Sequence, residues 1–531
     1  MTAQQRIARV RRNYNQWVAN QTLEDYALRF TAKSARKWSS ARVANTAIGA
    51  VSFLALEAIG GAIAINYGFV NATAAILIVG GLIFLTGLPI AYYASTYGVD
   101  IDLLTRGAGF GYLGSTITSL IYASFTFIFF AIEAAIMSLA LELCFGVPLF
   151  IGYVVSALVV IPLVTHGITF ISRFQAWTQP FWLTLHLIPF VFIAFADPGS
   201  FAAWTQFPGN TGADGHGFNI LLFGTASTVV FSLIAQIGEQ VDFLRFLPPQ
   251  QRQTRWSWWL AHLSAGPGWI VPGALKMLAG SFLAFLAIEH LVPADKAAEP
   301  TQMYLVAFQY VFSSPQIALA FTGAFVIISQ VKINVTNAYA GSIAWSNFFS
   351  RLTHSHPGRV VWLVFNVTIA LMLMELGIFK MLEHILGLYS IVAVAWVGAL
   401  VADLMINKPL GLSPAGIEFK RAHLYDINPV GVGAMLAATI VGTTAISGAF
   451  GATLQSLAAF VALLVAFVMA PVIAYVTKGR FYVARTPRQD WGGQALVRCA
   501  ICEHQFEPED MAHCPAYSGP ICSLCCTLET R

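Results

Sequence analysis

Charge is what this sequence has least of. Of its 531 residues only 10% are Asp, Glu, Lys or Arg, against roughly a quarter in a soluble domain. That scarcity excludes a soluble globular chain, as does a mean hydropathy of +0.69. Cysteine is almost missing from the apolar body: Cys144 alone lies there, and the other six crowd into the last 33 residues. So placed, they do not make a secretory disulfide framework. A cleavable leader is lacking too. The first 40 residues are polar and basic, with Arg6, Arg9, Arg11, Arg12, Arg29, Lys33, Arg36 and Lys37, and no apolar core stands ahead of a cleavage site. No HExxH, GxSxG or Walker pattern occurs, so an enzyme has little in its favour. The Trp256, Trp258 and Trp259 cluster beside Arg252 and Arg255 reads as an interfacial belt facing lipid, not as a nucleic-acid surface.

Apolar length is what the sequence has in abundance. Hydrophobic runs recur at about 44–66, 72–94, 111–138, 148–169, 179–197, 218–243, 267–291, 313–345, 359–378, 384–402, 430–447 and 453–477. They predict an all-α polytopic membrane protein with twelve crossings, each near the ~20 residues a bilayer requires. Arg106, Arg173, Arg245, Arg255, Arg351, Lys408, Lys420 and Arg421 all fall on one side of that scheme, while Lys296 and Lys380 mark the other. Both termini are therefore expected in the cytoplasm, with the protein in the inner membrane. The division expected is a lead-in over 1–42, a membrane domain over 43–477, a basic linker over 478–495 and a cysteine-rich segment over 496–531. Thr22 and Asp25 resemble a capping box within the lead-in.

Polar residues inside the runs are the candidate site. Glu57 is followed by Gly60 and Gly61, which mark either tight helix packing or a broken helix whose free backbone groups meet a ligand. Phe129 and Glu133 lie on the third run, an aromatic face and a mid-membrane carboxylate suited to a flat heterocycle. The sixth run ends in Gln236, Glu239 and Asp242, either a helix end at the interface or the unwound part of a second broken helix. The eighth, Pro315 to Asn347, is overlong and carries Lys332, Asn334 and Asn337. Lys332 either snorkels or answers a buried acid, or stands beside a transport or sensing site. Glu57, Glu133 and Glu239 are its candidate partners.

The stretch Asn334-Val-Thr-Asn337-Ala-Tyr-Ala-Gly-Ser-Ile-Ala-Trp-Ser-Asn347 resembles the nucleobase:cation symporter-1 family, especially its purine-cytosine permease branch. Val241-Asp242-Phe243-Leu244-Arg245-Phe246 and Ala402-Asp403 resemble it as well. The resemblance covers roughly residues 12 to 485. It implies a LeuT-like inverted five-helix repeat with two added helices, and a substrate site between helices 1, 3, 6 and 8. It also implies transport of a purine, pyrimidine, hydantoin or related heterocycle with sodium or protons. Phe129 and Glu133 stand where the family has a stacking tryptophan and a glutamine. Lys332 departs from the hydroxyl and carbonyl ligands of sodium-coupled members, so an ammonium in place of bound sodium, with proton-coupled or uncoupled behaviour, is expected. Asp242 is counted with it in coupling.

The tail holds Cys499-x2-Cys502, Cys514 and Cys522-x2-Cys525-Cys526. Two Cys-x2-Cys turns about twenty residues apart form a four-thiolate zinc pattern, because each turn aims two sulfurs at one tetrahedral ion. Cys514, His504 and His513 are substitutes. Iron–sulfur or redox use is the alternative. A transporter-like body with such a tail also resembles the front of hybrid sensor histidine kinases. Because the chain ends five residues after Cys526, a longer parent chain or a separate kinase partner is expected under that reading.

Overall fold

The computed structural model describes residues 30–354, 357–487, 491, 493–515 and 517–528. The Thr22–Asp25 capping box, most of the basic lead-in and part of the linker lie outside them. Apart from the tail, the regular structure of the described residues is all helical. α1 is Ser40–Gly49, α2 Ala55–Tyr97 and α3 Ser115–Phe145. α4 is Leu149–Leu158, α5 Val160–Thr165 and α6 Gly167–Ala196. α7 is Ile220–Phe231 and α8 Ile237–Leu244, joined by a 3-10 turn at Ser232–Gln236. α9 is Ile270–Glu289, α10 Pro300–Gln309 and α11 Pro315–Thr353. α12 is Arg359–Glu375, α13 Leu382–Ala402, α14 Pro429–Ile446 and α15 Ala458–Thr477.

Local chemistry sets several of these ends. The Ser39 hydroxyl accepts from the Arg42 amide at 3.2 Å and caps α1, and the Asn219 and Asn428 side chains do the same for α7 and α14. Prolines open α10, α11 and α14, where a missing N–H costs nothing. Gly98 and Gly146 close α2 and α3 in the left-handed conformation.

Among the described residues nine helical stretches are long and apolar enough to cross a membrane. Twelve separate crossings were expected, and the difference has three sources. The first and second apolar segments are two helical arms of α2 that meet at Gly68, whose angles (φ 78°, ψ 163°) are not helical and where a Cβ would come within 2.6 Å of the Gly215 carbonyl oxygen. The fourth expected span is divided into α4 and α5. The ninth, α12, has 17 residues, short of the ~20 that span hydrocarbon.

The interior forms around two helix pairs, α2 with α9 and α3 with α11. Where α2 meets α9 the backbones touch. A Cβ on Gly60 would fall 1.9 Å from the Met277 carbonyl oxygen, and one on Gly280 would fall 2.2 Å from that of Glu57. Glycine is required at both.

The tail is a small separate fold. β1 (Val497–Arg498) pairs antiparallel with β2 (Gln505–Phe506), and β3 (Met511–Cys514) with β4 (Gly519–Cys522). A short helix, α16 (Ser523–Leu528), follows. This unit docks on the helical body. Glu507 accepts from the Lys33 and Ser34 amides at 3.0 Å each, Glu509 pairs with the Lys33 ammonium, and Lys420 donates to the Glu509 carbonyl at 3.1 Å. The Tyr112 hydroxyl reaches the Thr527 carbonyl at 3.4 Å.

Candidate functional site

The first apolar segment is interrupted, although not at its glycines. α1 continues through a 3-10 turn at Ala50–Ser52, and the chain then extends at Phe53 (φ −63°, ψ 132°) before α2 begins. Such a break frees backbone amides at the N-terminus of α2. Glu133, fully buried on α3, takes two of them: its carboxylate accepts from Leu54 N at 3.2 Å and Ala55 N at 3.1 Å. A carboxylate at a helix N-terminus also meets the favourable end of the helix dipole. Phe129 lies beside the same break, its ring 6.3 Å from that of Phe53 and 4.5 Å from that of Phe125. Gly60 and Gly61 lie inside a continuous helix and serve the contact with α9 and Met303.

The sixth segment has its own irregularity, the 3-10 turn between α7 and α8. Gln236 donates to Glu239 at 2.7 Å across it. Tyr122 on α3 donates to Asp242 at 3.0 Å, and Arg245 donates to Tyr339 on α11 at 3.1 Å. On α11, Asn337 donates to Asn334 at 3.3 Å. Several polar atoms here are buried without a hydrogen bond inside the protein: Glu239 Oε1, both amide atoms of Gln240, Asp242 Oδ1, Asn334 Nδ2 and Asn337 Oδ1. Each such atom costs roughly 1–3 kcal/mol while it lacks a partner. Their number on α8 and α11 leaves donors and acceptors for a polar guest. A cavity of about 10 Å³ lined by Asp100, Ser119, Tyr122, Asp242, Asn347 and Trp396 adjoins them, room for about one water.

Lys332 is fully buried, and its ammonium donates to the Gln175 side chain at 2.6 Å and to Thr178 at 3.0 Å, both on α6. Gln175 in turn donates to the Lys332 carbonyl at 2.7 Å. Among the described residues no carboxylate lies within ion-pair distance of it, so Glu57, Glu133 and Glu239 do not answer it here.

Glu57 has a different partner, one that reading the sequence missed. The Lys276 ammonium on α9 lies 2.8 Å from Glu57 Oε1. Tyr304 on α10 donates to that oxygen at 3.1 Å and stands 3.0 Å from His186 Nδ1 on α6. Lys276 is the one charged residue between Ile270 and Ala287, and that isolation was the available signal. Nothing local pointed to His186 or Tyr304.

A vestibule of about 840 Å³ opens at the end of the bundle carrying Asn210, Lys296, Glu299, Lys380 and Glu383, and it reaches Ala58 of α2.

In the tail, Cys499, Cys502, Cys522 and Cys525 bring their sulfurs within 4.8 Å of one another, all four residues buried. A tetrahedral zinc–thiolate site has sulfur–sulfur edges of about 3.8 Å, from Zn–S bonds of about 2.3 Å, so the set fits such an ion. Backbone amides of Cys522 and Cys525 point at Cys499 and Cys522 sulfurs, at 3.3 and 3.5 Å, as thiolates require. Cys514 is not in this group. It lines a 430 Å³ pocket with Cys526, Arg421 and Arg485.

No family model and no curated protein matches the chain in sequence. Its fold does match solved structures. One is Mhp1, a nucleobase-cation-symport-1 family transporter, in a closed conformation with bromovinylhydantoin bound. It is 16% identical, with a TM-score of 0.62 over 87% of this chain and 100% of that one. Mhp1 in its inward-facing conformation is 17% identical, with a TM-score of 0.64 over 86% and 95%. A Na+-coupled sialic acid symporter in a substrate-bound outward-open state is 14% identical, with a TM-score of 0.55 over 90% and 98%. The chain therefore has the LeuT-like fold of Mhp1, as an all-α, multi-pass membrane protein.

Proposed function

We propose that the protein is a secondary transporter that carries a small heterocycle of the nucleobase or hydantoin type by alternating access. The observation that carries this reading is the set of unpartnered buried polar atoms on α8 and α11, beside two interrupted helices. A flat ring with N–H and C=O edges would satisfy those atoms, and Phe129 would supply a stacking face. Glu133, Gln236, Glu239, Asn334 and Asn337 surround that position. Glu133 acts there by holding the break of the first segment in shape. Lys332 is a fixed ammonium joining α11 to α6, in the coupling place that sodium takes in relatives, and Asp242 is counted with it. Twelve crossings, an inverted five-helix repeat, cytoplasmic termini, an inner-membrane location and the four-part division of the chain complete the reading.

Zinc is the ion proposed for Cys499, Cys502, Cys522 and Cys525, where it would hold the tail together. A second reading is favoured by the docking of that tail on Lys33, Ser34, Tyr112 and Lys420. A body that changes shape on binding would move these contacts, so the tail could report occupancy to a histidine kinase, fused or separate.

Uptake into proteoliposomes separates the two. A panel of labelled hydantoins, purines and pyrimidines is offered under separately imposed sodium and proton gradients. Gradient-driven accumulation of one panel member is expected. Binding without flux would end the carrier reading and favour the sensor.

A further inference from the structure

We propose that Glu57, Lys276, Tyr304 and His186 form a proton-binding site at the outset of α2, where the co-transported cation is held. This rests on the transport reading and names its driving ion.

Four elements converge there: Glu57 comes from α2, Lys276 from α9, Tyr304 from α10 and His186 from α6. All four side chains are buried. The ion pair is close, at 2.8 Å, yet incomplete. Glu57 Oε2 makes no hydrogen bond within the protein, and the Lys276 ammonium makes no aligned one. An ion pair kept only for structure is expected to have its remaining lone pairs and protons satisfied, because desolvation otherwise outweighs the attraction. Here one carboxylate oxygen is left open to accept a proton.

The surroundings suit that event. Lys276 also stands 5.3 Å over the Trp182 ring, so its charge keeps a partner when Glu57 is neutral. Tyr304 bridges Glu57 and His186, with His186 Nδ1 3.8 Å from the Glu57 oxygen, a chain of three groups able to relay hydrogen bonds. From α3, Glu133 is the further charged group within electrostatic reach of both Glu57 and Lys276. The vestibule reaches Ala58, the residue after Glu57, which brings water close.

In the step itself a hydronium ion gives its proton to Glu57 Oε2, leaving water and a carboxylic acid. No other bond forms or breaks. Lys276 then loses its counter-charge where α2 and α9 touch through Gly60 and Gly280. The contact between these helices is thereby made sensitive to the proton, and protonation is expected to loosen it. Release of the proton restores the pair.

The test is an acid-minus-alkaline infrared difference spectrum of the full chain in liposomes. A carboxylic-acid band is expected that disappears in the charge-balanced Glu57→Gln/Lys276→Met double variant, shifts in Tyr304→Phe and survives in Glu133→Gln. A band that persists in the double variant, or no band in the unmodified protein, would overturn the site. The double variant and Tyr304→Phe guard against failure of a single variant to fold, since neither strands a buried charge. Transport is read in parallel with tritiated hydantoin and uracil as probes. One proton per substrate allows about tenfold accumulation per unit of pH gradient. The double variant should let the probe equilibrate without accumulating, and accumulation equal to the unmodified protein would also overturn the proposal. If neither probe is carried, the transport reading fails for them while the spectrum still decides the site.

Discussion

Two lysines, Lys276 on α9 and Lys332 on α11, are buried within long apolar helices, and their surroundings make opposite demands. Lys276 faces a carboxylate 2.8 Å away, whereas Lys332 is held by the neutral groups Gln175 and Thr178. Removing one partner of a buried pair strands the other, at a cost of about 3–5 kcal/mol, whereas replacing both is near neutral. Lys276→Met alone should therefore lower the thermal unfolding midpoint sharply, and adding Glu57→Gln should restore most of it. Lys332→Met strands no charge and orphans only the neutral Gln175 side-chain oxygen, so the midpoint should fall less than in Lys276→Met. Tryptophan fluorescence during heating in detergent reads all three. A Lys332→Met midpoint as low as that of Lys276→Met would show that an unrecognised anion faces Lys332. Outside the long apolar helices, Glu418 carries a carboxyl that its neighbours depress. Burial alone would raise its carboxyl, but His423 and Lys420, each 3.1 Å away, outweigh burial and hold it at about 2. A carboxyl depressed in the folded state stabilises it above the ordinary carboxylate range, and that contribution is lost as pH falls through about 2. Proteolysis of the 408–424 loop should thus stay unchanged on acidification to about pH 5 and quicken below it, whereas Glu418→Gln should quicken it at neutral pH as well and flatten that acid dependence.

At the scale of elements, the decisive feature is a break with no punctuation in the sequence. Phe53 adopts extended angles open to any residue, and neither glycine nor proline marks the spot. The break is held by Glu133, 79 residues from Leu54 along the chain, a relation that no local pattern carries. Gly60 and Gly61 drew attention because paired glycines often mark such breaks, and tight packing on α9 uses them instead. The helices were legible because apolar runs of near-membrane length admit few other structures. The count of crossings was less so, since the first two apolar segments follow each other with only the non-helical turn at Gly68 between them. Lys276 was legible in principle as a lone charge, while its pairing with Glu57 needed the third dimension. Two variants test the element-scale argument. Gly60→Ala would drive a methyl into the α9 backbone, for about 1–3 kcal/mol or more of strain, visible as lost expression and a lower unfolding midpoint. Glu133→Ala would orphan the Leu54 and Ala55 amides, and Glu133→Gln would still supply one acceptor oxygen. Hydrogen exchange at those two amides should rise most in the alanine variant and to an intermediate degree in the glutamine one. Equal exchange in both would show that the carboxylate does not hold the break.

The whole molecule joins a helical body to a cysteine-rich unit through a few contacts on one face. Glu507 and Glu509 grip Lys33 and Ser34, just ahead of α1, while Lys420 and Tyr112 meet the same unit from the 403–429 connection and the approach to α3. The tail thus bridges the start of the interrupted first segment and elements fixed elsewhere in the bundle. Its own core is small, two two-stranded ribbons and one short helix, and folds of that size depend on a metal or disulfides to stay folded. All seven cysteines are free of disulfides, and four of them are gathered where they could hold a metal ion, so metal-dependent stability is the expectation to test. Purified protein should carry about one zinc per chain, lost in Cys499→Ser and on strong chelation. Hydrogen exchange should then rise through 505–528, and also at 33–36 and 420–424, because the docked surfaces lose their partner. The α11 segment around Asn334 and Asn337 should keep its protection. Unfolding of the tail with no change at 33–36 would mean that docking does not order the approach to α1. A body that loses protection throughout would instead mean that the tail is part of the body's stability, and neither a reporter nor a separable unit.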